Sequence, residues 1–244
     1  VVLNENLRGQ PFDMFIEDAI LETTTITSAV SAEYGRFAGG VVNMVTKSGG
    51  NEFSGSFRVN VSNESWNGET PLTTSQADEN NYVYEATVGG YVLRDKLWFF
   101  LAGRDQENTI SNQIFVPDGG GEQFPAGRDE TRYEGKLTAS FSPRHRLAFN
   151  YIDYEATDKN YVFPSLPSAD FASVDPERTL PNTGWNINYT GVITDNFFLE
   201  GLYSEREFLF QGSGGDDTSI AGGTVVIDYL EYVLFNAPLF CGVC

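Results

Sequence analysis

Cys241 and Cys244 are spaced as CxxC and are the only two cysteines in the chain. That spacing can serve thiol–disulfide exchange, half of a metal site, or a local disulfide. Redox CxxC motifs sit beside a strand–helix pattern. Here the pair follows Pro238-Leu239-Phe240, with no helical pattern near it. The residues favour a structural loop disulfide in a non-cytosolic compartment, and free thiols or a shared metal site stay open. The one histidine, His145, lies in a short turn beside Pro143 and between Arg144 and Arg146. A Ser-His-Asp triad or a His-rich metal site therefore has little to work with. Asp216 and Asp217 form a carboxylate pair in a Gly-rich loop, where solvation is the simpler role. The expectation is a protein that is not an enzyme, with no cofactor and no metal.

Composition narrows the class further. The chain has 244 residues, 14% aromatic residues and 25 glycines, a balance ordinary for a β protein with many turns. The formal net charge is -19, so the basic footprint of a nucleic-acid binder is missing, as is a polybasic membrane anchor. No apolar run approaches the ~18 residues of a transmembrane helix. The chain opens on Val1-Val2-Leu3 without an initiator Met, which suggests processing or a piece of a longer protein.

Any chemistry must be positioned by strands. Phe12–Leu21 has the pattern of about two helical turns, and helix signals are otherwise scarce. The run Gly39–Lys47 is β-branched and reads as a buried strand, followed by a Lys47–Asn51 turn cluster. From Glu52 the residues alternate strictly. Phe53, Gly55, Phe57, Val59 and Val61 share one face, and Ser54, Ser56, Arg58, Asn60 and Ser62 the other. The pattern returns in 132–141, 146–151 and 185–192, and more weakly in 82–92, 96–106 and 197–210. Leu97–Leu101 is apolar on both faces, which predicts a strand covered on its inner side as well.

The predicted connections alternate in length. About 63–80, 107–128, 156–183 and 211 onward are long and polar; 93–96, 142–145 and 193–196 are short. A meander with short turns at one end and long loops at the other matches outer-membrane barrels. Aromatics near strand ends (Tyr84, Trp98, Phe141, Tyr151, Trp185, Phe197) suit bilayer interfaces. Loops 107–128 and 156–183, the latter with Tyr161, Phe163 and Phe171, are candidates for ligand contact. The competing architecture is a secreted β-sandwich binding module, with carbohydrate as one ligand class, whose aromatics would pack a core or form a platform.

One stretch goes beyond pattern. Glu33, Tyr34, Gly35, Arg36, Gly39, Gly40, Asn43, Thr46 and Lys47 fall within SAEYGRFAGGVVNMVTKSGGNEFSG. This segment resembles the end of the plug domain of TonB-dependent outer-membrane transporters, most of all the Oar-like branch, where such a segment leads directly into the first barrel strand. The resemblance implies an all-β fold: a partial, open transmembrane antiparallel β-barrel of about seven up-and-down strands, preceded by part of a plug domain. It implies residues 1–51 as the C-terminal part of the plug and 52–244 as the N-terminal part of the barrel, far short of the about 22 strands that close such a barrel. The chain then looks like a fragment of a larger transporter, and no TonB-box segment is visible.

The implied function is energised uptake of an unidentified ligand across the outer membrane of a Gram-negative bacterium. The implied partners are outer-membrane lipid, a TonB-type energising complex engaged through a segment missing from this chain, and an extracellular ligand; no nucleic acid is expected. Arg58, Arg132, Glu134, Lys136, Arg146, Glu200 and Arg206 fall on the predicted wet faces, where they could line the lumen or meet the plug, with Glu33 and Arg36 as ion-pair partners from the plug side. Solvated surface charge is the plainer alternative for each.

Overall fold

The computed structural model describes residues 15–27, 40–68, 78–115, 121–162, 168–212 and 219–238. Glu33, Tyr34, Gly35, Arg36, Gly39, Phe163, Asp216, Asp217, Cys241 and Cys244 lie outside the described residues.

The protein is all-β. Its main body is one antiparallel sheet in which each strand pairs with the next in sequence: β3 (Ser54–Asn63), β4 (Asn80–Leu93), β5 (Leu97–Gln113), β6 (Gln123–Ser142), β7 (His145–Tyr161), β8 (Asp175–Thr194) and β9 (Phe197–Phe208). The sheet does not close on itself, so it is a partial barrel wall. Before it comes a separate two-stranded ladder, β1 (Ile20–Ile26) with β2 (Val41–Thr46), and after it a short hairpin, β10 (Val226–Asp228) with β11 (Val233–Phe235). Tight links join β4 to β5, β6 to β7 and β8 to β9 at one end, and the longer connections lie at the other. Among the described residues the other sheets are the two-stranded β1–β2 and β10–β11 pairs, so no broad second layer faces the seven strands as the β-sandwich alternative expects.

Alternation dictates which side chains meet. Phe57, Val59, Val61, Leu101, Tyr133, Leu137 and Phe141 point outward and are exposed, Phe57 to 73%. Their register is continuous: Phe57 lies opposite Ala86, Leu101 opposite Gly135, Leu137 opposite Phe149, and Phe149 opposite Ile187. From Phe141 to Tyr133 the outward apolar run of β6 covers eight residue steps, roughly 26 Å along the strand or about 20 Å in height at a tilt near 40°. That is close to the about 25 Å apolar band of outer-membrane barrels.

Above this band the two faces change character. Outward positions become acidic (Asp105, Glu107, Asp129, Asp153, Glu155, Glu205, Glu207), while inward positions mix paired charges with buried apolar clusters. Tyr154, Ala156 and Leu180 form one buried inner cluster with Ile152, Phe208 and Phe210 against it. Ile114, Phe124, Ala126 and Val174 form another. The second is roofed by residues 168–174 and β11, held by the Phe115 amide donating to Ser168 O at 2.7 Å and the Ala169 amide donating to Leu234 O at 2.8 Å.

Two expectations are corrected here. Residues 107–128 and 156–183 are not wholly loops, since strands run through Gln113, from Gln123, through Tyr161 and from Asp175. Pairing continues beyond the band because period-2 alternation continues, with the apolar side switched from outward to inward. The two-turn helix over Phe12–Leu21 is also absent from its described part: Glu17–Ala19 is a single 3-10 turn, and Ile20 and Leu21 begin β1. Strand pairing with β2 overrides the local helical pattern there.

The double-sided apolar run at Leu97–Leu101 has its inner cover. Phe100 and Ala102 pack against Ile16 and Ala19, and all four are buried.

Candidate functional site

The inner face of the wall is where chemistry-bearing side chains converge. Registration sets Arg58 opposite Glu85, Glu85 opposite Arg104, Arg104 opposite Arg132, Arg132 opposite Tyr154 and Tyr154 opposite Asn182. One polar row thus crosses six strands. Arg58 Nε donates to Glu85 Oε2 at 2.7 Å, and Arg104 Nη1 lies 3.5 Å from Glu85 Oε1. Arg132 Nη2 donates to Glu130 Oε2 at 2.8 Å, and its guanidinium lies 5.2 Å from the centre of the Tyr154 ring. A second tier climbs from Glu130: Arg128 Nε lies 3.1 Å from Glu130 Oε1 and 3.3 Å from Asp158 Oδ1, and Arg178 Nε donates to Asp158 Oδ2 at 2.8 Å while stacking on Tyr161. Paired in this way, charges can stand on an enclosed surface that would otherwise penalise each of them by several kcal/mol.

The segment before the wall docks onto this row. The Ile16 amide donates to Glu134 Oε1 at 2.8 Å. Arg132 Nη1 donates to Phe15 O at 2.9 Å. Lys136 Nζ donates to Thr46 O at 3.1 Å. Arg58 reaches Glu17 and Asp18, each at 3.4 Å. Lys47 closes the root of the β1–β2 ladder, its amide donating to Ala19 O at 2.7 Å and its Nζ to Asp18 O at 2.6 Å. Acidic Glu17 and Asp18 therefore face a wall rich in arginine, and orphan carbonyls at the turn take charged donors.

Each sequence-predicted residue can now be placed. Arg58, Arg132, Glu134 and Lys136 lie together against the 15–19 and 46–47 segment. Arg206 is on the same face, its Nε donating to buried Asn182 Oδ1 at 2.9 Å. Arg146 and Glu200 share that face too, both opposite Thr190, but they are exposed near the short-turn end and stand apart from the ladder. Thr46 is the acceptor for Lys136, and Asn43 is exposed in β2 opposite Thr24. Gly40 precedes β2, where a Cβ would lie 3.1 Å from Ile26 O.

Of the loop candidates, Tyr161 lies within β7 beneath Arg178, and Phe171 is exposed with its ring 5.3 Å from that of Phe124. No group of three or more potential metal ligands occurs among the described residues. No helix among them is long and apolar enough to cross a membrane, which says nothing of strands.

Sequence reasoning missed Glu85, Arg104, Glu130 and Asp158. The wet face of 82–92 was hard to read because Val83 and Tyr91 share it with Glu85. Asn51 was also missed. Its Oδ1 accepts from the Asp95 amide at 2.9 Å and from Trp98 Nε1 at 2.8 Å, and its Nδ2 donates to Asp95 Oδ1. Nearby, a Cβ on Gly49 would stand 2.1 Å from Phe99 O and 2.4 Å from Gly90 O, so only glycine fits where the chain crosses β4 and β5. The KSGGN run is thus a close backbone crossing followed by a turn clamp.

No protein-family model matches the chain, and no solved structure matches it. The chain is 31% identical over 161 residues to a curated protein, the TonB-dependent transporter Oar of Myxococcus xanthus. That match covers 53% of this chain and 15% of the relative, so the chain spans a small part of the length of the protein it resembles. An all-β antiparallel wall, open at both lateral edges, stands in a distant relationship to a TonB-dependent transporter.

Proposed function

We propose that this chain is part of an outer-membrane transporter of the TonB-dependent kind. Residues 1–51 are the C-terminal part of its plug, and 52–244 are the first part of its barrel wall. The observation that carries this reading is the two-sidedness of one sheet. Its outward band is apolar and uncovered, while its inward face is a ladder of arginines and carboxylates that receives the preceding segment. A soluble wall would leave that band in water, where large contiguous apolar surface promotes association. A bilayer accepts it, and barrel pairing satisfies the backbone.

In this reading Arg58, Arg132, Glu134, Lys136 and Arg206 face the lumen, with Arg146 and Glu200 nearer its short-turn end. Glu33, Tyr34, Gly35, Arg36, Gly39, Gly40, Asn43, Thr46 and Lys47 belong to the plug terminus. The partners are outer-membrane lipid, an energising TonB-type complex acting through a segment outside this chain, and an unidentified extracellular ligand. The role is transport rather than catalysis. The ladder holds the plug by ionic and charge-assisted hydrogen bonds, which water can replace when the plug moves.

The test is made on the full-length protein that contains these residues, in a Gram-negative host. It is expected in the outer-membrane fraction, resistant to carbonate extraction, and its deletion should abolish TonB-dependent uptake of at least one nutrient in a growth screen. Recovery as a soluble monomer would overturn the reading.

A further inference from the structure

The β1–β2 ladder and the wall are held together by two unlike sets of contacts. The first set is polar: Arg58, Arg132, Glu134 and Lys136 bind residues 15–18 and Thr46 through single hydrogen bonds or partly exposed ion pairs. The Ile16–Glu134 bond is buried and the others are part-buried or exposed, and each is a separate contact that can yield in turn. The second set lies a few residues on and is packed. Gly49 sits directly on the carbonyls of Phe99 and Gly90, with its Cα 3.6 Å from where a Cβ on Gly89 would stand. Phe53 lies on the outward side of the same strand, at van der Waals distance from Gly90, with its ring centre 4.9 Å from Tyr91 and 6.3 Å from Phe99. Between them, Asn51 holds Asp95 and Trp98 with three hydrogen bonds from one side chain. Asp95 itself has a positive φ of 63°, a conformation that asparagine and aspartate tolerate in turns.

We propose that Asn51, with Asp95 and Trp98, is a mechanical stop between the inner segment and the wall. The proposal rests on the transport reading, in which force reaches this chain from its N-terminal side. Tension that strips residues 15–47 from the ladder arrives at Ser48–Asn51. Without a clamp, it would fall next on the Ser54–Gly89 pair, the first rung of β3, and peel that strand from β4. Asn51 diverts the load into the β4–β5 turn, which belongs to the body of the sheet. The polar contacts then yield while the wall keeps its first strand.

Single-molecule pulling on the N-terminus of the full-length protein in outer-membrane vesicles tests this. The wild-type trace should end its plug events with the chain extended no further than Asn51. Asn51→Ala should add roughly 35 Å of fitted contour length to the last event, the 10 residues of β3 with the anchor moved to their far end at Asn63. Trp98→Phe keeps the ring and removes one donor, so it guards against a variant that misfolds; it should raise the fraction of traces carrying the longer event. Unchanged final lengths in both variants, or a wild-type trace that already runs through β3, would overturn the stop. If the protein does not insert in the outer membrane, the transport reading falls and the stop with it. If it inserts and imports normally with unaltered traces, the stop alone falls.

Discussion

Arg58 and Glu85 stand opposite one another on β3 and β4, and Glu85 is enclosed to 1% exposure between Arg58 and Arg104. A carboxylate so placed pairs with two guanidinium groups at once and anchors the side chain that reaches Glu17 and Asp18. Glu85→Ala is expected to destabilise the folded protein by roughly 3 kcal/mol, because both arginines lose their enclosed partner. Arg58→Ala should cost less, since Arg104 still serves Glu85. Urea titration of the full-length protein in detergent, followed by tryptophan fluorescence, measures the difference; equal stability of Glu85→Ala and wild type would contradict the ladder.

Leu137 and Thr131 lie on the same outward face of β6, three side chains apart, but in the apolar band and in the acidic collar respectively. Leu137→Arg is expected to weaken folding into lipid vesicles by about 2–4 kcal/mol, the penalty of a cation near the middle of a bilayer. Thr131→Arg should be close to neutral. Similar values for the two would remove the hydrocarbon assignment of the band.

Gly49 and Gly50 are adjacent and look alike in sequence. A Cβ on Gly49 meets backbone oxygens at 2.1 and 2.4 Å, whereas one on Gly50 meets nothing within 4 Å. Gly49→Ala should therefore sharply lower the yield of correctly folded protein, and Gly50→Ala should leave it near wild type. Heat-modifiable mobility on gels reads both, and equal yields would count against the crossing.

Tyr133, Tyr151, Trp185 and Tyr203 form an outward aromatic line at the upper margin of the band, with Asp153, Thr183, Glu205 and Glu207 just beyond it. Aromatic rings favour the headgroup level. A tryptophan placed at Leu137 in a variant whose native tryptophans are changed to phenylalanine should be quenched most by lipids brominated near the chain ends. One kept only at Trp185 should be quenched most by bromines near the glycerol. Reversed depths would mean that the band has been drawn in the wrong place.

Much of the wall was legible because alternation is a strong signal wherever one side is apolar and the other polar. Phe53–Ser62 and Arg132–Phe141 announce both their strands and their faces, and the tight links at Pro143-Arg144 and Asp195-Asn196 fix the order. The upper strands were hidden for a physical reason: Ile152, Tyr154 and Ala156 are inward apolar residues beside outward Asp153 and Glu155, and Phe124 and Ala126 are inward beside Pro125 and Gly127, so the period survives while the apolar side changes. Arg58, Arg132, Glu134 and Lys136 could be assigned to one face from sequence. Their partners Phe15, Ile16 and Thr46 could not, because those contacts use backbone groups, which carry no residue signature. The role of Asn51 depends on a turn 44 residues away, and no local pattern encodes that distance.

The change of sides along β6, from outward Tyr133 and Leu137 to inward Ala126 and Phe124, has a consequence for assembly. In a strand of uniform sidedness, a slip of one residue against its neighbour makes a single kind of mistake. In β6 the same slip would turn Arg132, Glu134 and Lys136 toward oil and, at the other end, swing Phe124 and Ala126 out of their buried cluster into water. Two errors of opposite chemistry would be committed at once, so each long strand proofreads its own alignment as it zips.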